Sequence, residues 1–180
     1  MEWLHNADLE VQRLINQSWN TPILDTFFRI VTYFGVEWVL IPLLFPLLLV
    51  PAHRRWGISC YLAILTSGVL TQVFKHCSGR LRPGHLPGTI LAPDEPLLYG
   101  SFPSGHTAVS FAAGTAFVLG IHPRYQKLAI PLVMLLPALV ALSRIYRGVH
   151  WPTDVIGGAL LGFATGTICH LLIAQPSQEK

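Results

Sequence analysis

Cations and imidazoles gather at three places in this 180-residue chain, each beside an apolar run. Lys75 precedes Arg82-Pro83, Pro103-Ser104-Gly105-His106 stands ahead of a second run, and Ser143-Arg144 is followed by His150 and Asp154. A chain that avoids charge almost everywhere else has placed its positive groups at helix ends, and that pattern suits a phosphate group.

Each cluster has its own chemistry. Ser104 is suited to cap a helix that opens at Gly105 and His106. The first turn of a helix offers free N–H groups and a partial positive charge, so it holds an anion. Gly105 lets that anion approach the backbone, and His106 projects into the same space. Taken alone, this segment reads equally as a capped membrane helix with a histidine at the water interface. Further along, Arg144 closes one helix while His150 and Asp154 straddle the start of the next, where Pro152 fits the first turn. A four-residue step puts His150 and Asp154 on one face if that turn is helical. A carboxylate on one ring nitrogen fixes the tautomer and leaves the other nitrogen with a free lone pair, the arrangement of an activated nucleophile. The alternative is a hydrogen bond that only anchors the helix start. Lys75 lies in the last turn of its helix, and Arg82, before a proline, is held extended. Singly these would be a snorkelling lysine and a solvated arginine. With Arg144 they supply three cations around one helix N-terminus, enough to neutralise a phosphoryl group during its transfer.

The elements that position these residues are greasy helices. Charged residues make up 12% of the chain, against about 25% in soluble domains, and the mean hydropathy is +0.50, so the chain is an integral membrane protein. Phosphate chemistry in such a setting points to a phosphorylated lipid. The net charge of +3 leaves no basic stripe for nucleic acid. Cys60 and Cys169 sit in apolar runs as small hydrophobes, and Cys77 has no ligand spacing around it, so neither disulfide nor zinc is implied. The N-terminal Met-Glu-Trp-Leu-His does not read as a cleaved signal peptide.

Five runs, Val36–Val50, Ile58–Val73, Thr107–Ile121, Leu128–Leu142 and Val155–Ala174, each extend toward the ~20 residues needed to cross a bilayer. The expected fold is all-α, a polytopic transmembrane bundle of about five spans over residues 35–175, with a cytoplasmic tail at 176–180. The stretch from Gly79 to Pro103 carries five prolines and cannot be helical; it reads as a lid or a substrate rim. In residues 1–34, apolar positions such as Leu4, Leu9, Ile15, Phe27 and Val31 recur at helical spacing among Glu10, Arg13, Asp25 and Arg29. Two amphipathic helices in the membrane interface are expected there, because a charge at the middle of a span costs about 2.5–3.5 kcal/mol. The compact basic connections at His53-Arg54-Arg55 and at Arg124 with Lys127 belong in the cytoplasm. All three clusters, and Arg147 beside them, then meet on the outer face.

The three motifs, Lys75 to Arg82-Pro83, Pro103 to His106, and Ser143-Arg144 with His150 and Asp154, resemble in order and spacing the signature of the type 2 phosphatidic acid phosphatase family, which shares its site with vanadium haloperoxidases. The resemblance spans Lys75 to Asp154. It implies that His150 attacks phosphorus to give a phosphohistidine, oriented by Asp154, and that His106 protonates the leaving oxygen and later activates water. Lys75, Arg82, Ser104, Gly105 and Arg144 would hold the phosphate oxygens, with no metal or other cofactor. His76, His85 and Arg147 lie outside the fixed positions and are left as rim or structural residues. The expected substrate is a membrane lipid phosphate, such as phosphatidylglycerol phosphate, undecaprenyl diphosphate, phosphatidic acid or the 1-phosphate of lipid A, with head-group recognition in Gly84–Gly100 and the N-terminal helices. No obligate protein partner is evident. The small size resembles bacterial members, which places the protein in the cytoplasmic (inner) membrane with its site facing the periplasm or exterior. Rival readings are a haloperoxidase holding vanadate and a catalytically idle lipid-binding or transport protein.

Overall fold

The apolar runs fold as helices, and no strand occurs in the residues described by the computed structural model, 2–95 and 99–173. The expected tail at 176–180 lies outside them. Helix α1 (Glu2–Arg13) continues through a π-helical turn at Leu14–Ser18. Helix α2 (Pro22–Thr32) starts where Pro22 fits the first position and the Thr21 hydroxyl accepts from the Leu24 N–H. Then come α3 (Glu37–Leu44), α4 (Pro46–Leu49), α5 (Arg54–Ser78), α6 (Gly105–Leu119), α7 (Pro123–Tyr146) and α8 (Pro152–Ile173).

The five expected spans are not five alike. Pro51–Ser78, Pro123–Tyr146 and Pro152–Ile173 are each long and apolar enough to cross a membrane, while Pro22–Gly35 and Glu37–Leu49 pass only as a pair bent by 67°. The Val36–Val50 run therefore does not stand as a straight span. Pro46 cannot donate the N–H that would continue α3 past Phe45. At the bend before α3, Gly35 lies against His106 and Val140, where a Cβ would come within 2.7 Å of both. The α2 segment is one arm of this bent pair.

Helix α6 is the shortest of α5 to α8, and eleven of its fifteen residues are buried. It is the post around which α5, α7 and α8 pack. Cys60, Ala63 and Ile64 of α5 meet Val109, Ala112, Ala113 and Ala116 of α6 and Cys169 of α8 in one apolar cluster. The outward faces of the long helices carry Leu65 and Val69, Leu128 and Leu132, and Leu160 and Leu171, all exposed, which is the surface a lipid environment requires. Small residues let α8 approach α6 closely: a Cβ on Gly158, Gly162 or Gly166 would lie 2.4–2.7 Å from the carbonyl oxygens of Ser104, Ala108 and Ala112.

Helix α1 and the turn after it bury three polar side chains. Asp8, Gln12 and Asn16, spaced four apart, are buried, whereas Trp3, Leu4, Val11 and Leu14 are exposed. Asn16 donates to the carbonyls of Ile90 (2.8 Å) and Tyr146 (2.7 Å) and accepts from the Ile90 N–H (2.9 Å), tying the long loop to the end of α7.

The glycine ladder gives a first test. Gly162→Ala forces a methyl against the Ala108 carbonyl and is expected to cost about 1–3 kcal/mol. Thermal unfolding in detergent, read against Ala159→Gly in the same helix, measures it.

Candidate active site

Four helix ends and one loop converge to make the site. The last turn of α5 supplies Lys75, and Arg82 follows in the loop after the Gly79 turn, whose φ of 55° closes the helix. The first turn of α6 supplies Gly105 and His106, the last turn of α7 supplies Arg144, and the link to α8 supplies His150 with Asp154 one turn on. That link is a tight connection, with the Val149 and His150 N–H groups donating to the Arg144 carbonyl at 3.3 and 3.2 Å. The structure brings all eight sequence-derived residues together. Lys75, Arg82 and Arg144 lie close enough for their charges to act on His150, and Arg144 and Lys75 also act on His106. Gly105 faces Lys75: a Cβ there would sit 3.9 Å from its Nζ.

Ser104 occupies the cap position but does not cap. Its buried hydroxyl accepts from the Thr107 hydroxyl at 2.9 Å, and its N–H donates to the Asp154 carbonyl at 3.0 Å. The N-terminal N–H groups of α6 are thereby left to an anion instead of a side-chain oxygen.

His150 is fully buried, and its Nδ1 lies 3.4 Å from Asp154 Oδ2. Burial, then the charges of Arg82, Arg144 and Lys75, hold its pKa well below that of an ordinary imidazole. The ring is therefore neutral near pH 7, as a nitrogen nucleophile must be. Two donors complete the picture: among the described residues, the buried Arg82 Nη1 and Arg144 Nε have no hydrogen-bond partner. A buried orphan donor costs about 1–3 kcal/mol, and here both belong to cations beside His150.

Several partners were not singled out from the sequence. Glu95, in the proline-rich loop, forms a two-pronged ion pair with Arg144 Nη1 (2.8 Å) and Nη2 and also meets Arg147 Nε at 3.2 Å. Burial would raise its pKa, but the hydrogen bond and charge of Arg144, with His106 and Arg147, bring it down to about 2. It is a carboxylate at every working pH and sits on the arginine expected to hold phosphate. Arg147, left as a rim residue, is buried and holds Asp94 at 2.6 Å as well as Glu95. On Asp154, Oδ2 accepts from the Ser101 hydroxyl and the Trp151 N–H (2.9 Å), while Oδ1 accepts from Arg80 Nη1 at 2.6 Å. No sequence signal marks Glu95, since an acid in a polar loop ordinarily reads as solvated. His76 and His85 stay outside the site, the first bonded to the Gln72 carbonyl and the second to that of Arg82.

Because Glu95 and a phosphate would compete for Arg144, Glu95→Gln should tighten inhibition by inorganic phosphate about three- to tenfold, or about 0.7–1.4 kcal/mol. Inhibition constants for wild type and variant measure it, and an unchanged constant would remove Glu95 from the anion site.

The chain is 34% identical over 156 residues to an undecaprenyl-diphosphatase of Sulfolobus acidocaldarius, covering 86% of this chain and 73% of that one. It is 30% identical over 161 residues to phosphatidylglycerophosphatase B of Bacillus subtilis, covering 83% and 73%. The crystal structure of Aquifex aeolicus LpxE superposes with a TM-score of 0.77 at 36% identity, over 89% of this chain and 93% of that one. Residues 56–177, which contain all three motifs, match the PAP2 superfamily, and the chain belongs to that superfamily.

Proposed function

We propose that this protein is an integral membrane lipid phosphatase that removes a terminal phosphate from a lipid through a phosphohistidine on His150. One observation carries the reading: a buried His150 lies among Lys75, Arg82 and Arg144, and two of those cations have buried donors without partners among the described residues. The relatives, named as phosphatases of lipids, support the same class.

In the first step the Nε2 lone pair of His150 attacks phosphorus, the bond from phosphorus to the lipid oxygen breaks, and that oxygen takes a proton from His106, which the bound phosphate dianion keeps protonated against the burial and the Arg144 charge that lower its pKa in the free site. Asp154 faces Nδ1 and holds the tautomer. In the second step His106 takes a proton from water as the water oxygen attacks phosphorus. The P–N bond breaks, phosphate leaves, and His150 regains its lone pair. Lys75, Arg82, Arg144 and the backbone around Ser104 and Gly105 offset the charge on the phosphate oxygens throughout. Glu95 withdraws from Arg144 when phosphate arrives. Beside Arg147 a cavity of about 620 Å³ opens between α2 and residues 90–94, with Asp25, Arg29 and Tyr33 on one wall and Asp94 on the other; it suits the rest of the head group.

The protein works in the cytoplasmic (inner) membrane with this site outward. Arg54 and Arg55 start α5 and Arg124 and Lys127 start α7, at the ends opposite Lys75 and Arg144, as basic cytoplasmic loops require.

The test is phosphate release by the purified protein from phosphatidic acid, phosphatidylglycerol phosphate, undecaprenyl diphosphate and lipid A, with and without EDTA. Turnover of at least one lipid is expected, undiminished by chelation. Binding without release would mark an idle binding protein, and activity lost in EDTA and restored by Mg²⁺ would overturn the mechanism. Rapid quench with a ³²P-labelled substrate should trap acid-labile phosphoprotein in wild type and none in His150→Ala, whose kcat should fall about ten-thousandfold or more.

The pH dependence has a definite sign. Protonation of His150 removes the attacking lone pair, so kcat/KM falls with falling pH, and because its pKa is depressed the acid limb lies below the ~6.5 of a free imidazole. A limb at or above that value would contradict the neutral, cation-flanked His150.

A further inference from the structure

Asp8 is only 2% exposed although it carries a charge and lies in the N-terminal helix, 146 positions before Asp154 by their numbers. A buried carboxylate is costly unless paired and hydrogen-bonded, and its partners lead toward the nucleophile. Asp8 Oδ1 accepts from the Thr153 N–H at 2.9 Å, and Oδ2 accepts from the Thr153 hydroxyl and from Arg80 Nη2, both at 2.6 Å. The other prong of the guanidinium, Nη1, reaches the Thr153 hydroxyl at 2.8 Å and Asp154 Oδ1 at 2.6 Å. Arg80 thus bridges two carboxylates, one from α1 and one from α8.

The bridge bears on His150 through the plane of the Asp154 carboxylate. That torsion is soft and roughly two-fold. Oδ2 holds Ser101 and the Trp151 N–H and faces His150 Nδ1, while among the described residues Oδ1 has Arg80 as its side-chain partner. Fixing Oδ1 therefore decides which oxygen meets the imidazole and at what angle. Asp8 in turn holds the guanidinium and supplies an acceptor to a first-turn N–H of α8, the turn that carries Asp154.

We propose that Asp8 and Arg80 are positioning residues for His150, acting in series through Asp154, so that the N-terminal helix is part of the catalytic apparatus. This rests on the reading of His150 as the nucleophile. Neither residue touches the phosphate; each restricts the carboxylate that restricts the ring.

The experiment uses the full chain in detergent with ³²P-labelled phosphatidic acid, steady-state kinetics and rapid quench. Asp8→Asn keeps an acceptor for Thr153 but removes the charge that holds Arg80, and Arg80→Lys keeps charge but cannot bridge. Each should lower kcat and the rate of phosphoprotein formation together by about 10- to 100-fold, with KM within about twofold of wild type. In Arg80→Ala, added guanidinium ion should restore part of kcat, because the position is 31% exposed at the side chain and open to a small cation. The double variant Asp8→Asn/Arg80→Ala should be no slower than Arg80→Ala, as elements in series require. If the pair is only a staple, the yield of folded protein falls, kcat per folded molecule is unchanged and guanidinium does nothing; that result overturns the inference. Should Arg80→Ala not fold, Arg80→Lys and Asp8→Asn decide between the same outcomes. Absence of trapped label in wild type would instead sink the nucleophile reading and this inference with it, whereas label in wild type with unimpaired variants sinks this inference alone.

Discussion

Like charges held together in a low-dielectric interior are the constraint from which the site follows. Two unit charges 4 Å apart repel by about 4 kcal/mol at an effective dielectric constant of 20, and here Lys75, Arg82 and Arg144 crowd one helix N-terminus that adds its own positive end. Such a cluster is stable only with anions in it. Asp154 is built in, and Glu95 closes the rest by taking Arg144 in both prongs. The Tyr99 carbonyl accepts from Arg82 Nε at 3.1 Å, yet the neighbouring Nη1 has no partner among the described residues. The site thus prefers some anion to none. A carboxylate on a loop is a weaker occupant than a phosphoryl group carrying three equatorial oxygens, and the transition state adds charge where the orphan donors lie.

Holding the cluster in place falls to helix packing instead of to a loop. α6 can end inside the protein because its length need not match the bilayer, and irregular backbone at that depth is tolerated where it lines a cavity. The close approach of α8, through Gly158, Gly162 and Gly166, fixes the start of α6 against the start of α8. The Ser104 N–H to the Asp154 carbonyl then joins the two N-termini directly. Two positive helix ends meeting in this way would be unfavourable without a shared anion, which gives the Asp154 carboxylate a structural part beside its proposed catalytic one.

That Lys75, Arg82, Ser104, His106, Arg144, His150 and Asp154 come together was legible because cations, imidazoles and a helix-start serine recur at helix ends in that order along the chain. The helical class was legible from the apolar runs. What escaped has a common physical cause, since hydrophobic periodicity assumes that the outside is water. In the N-terminal segment the exposed side mixes Leu4, Val11 and Leu14 with Glu10 and Arg13, while Asp8, Gln12 and Asn16 face the protein; the periodicity gave the helix but not which side was in. Arg80, Ser101 and Glu95 lay in a proline-rich loop whose path is set by contacts such as Asn16 to Ile90, over 70 residues away in sequence. The bend before α3 depended on Gly35 fitting between His106 and Val140, a packing fact with no local code.

A division of labour follows from where these pieces sit. The superfamily match begins at residue 56 and runs through α5 to α8 and their connections, which carry every residue proposed to face phosphate. The wall of the cavity beside Arg147 formed by Asp25, Arg29 and Tyr33 lies before it, as does Asp8. Phosphate is the same group whatever lipid bears it, so on the proposed reading the machinery that breaks its bond can stay fixed while the N-terminal helices answer to the head group. Those helices do not merely lean on the core, however. Asn16 sets the loop that delivers Asp94 and Glu95, and Asp8 reaches Asp154 through Arg80. On the proposed reading, a change at Asp8 or Asn16 would act both on the loop that lines the cavity and on the alignment of His150, so two buried side chains of the N-terminal segment bear on both ends of the site.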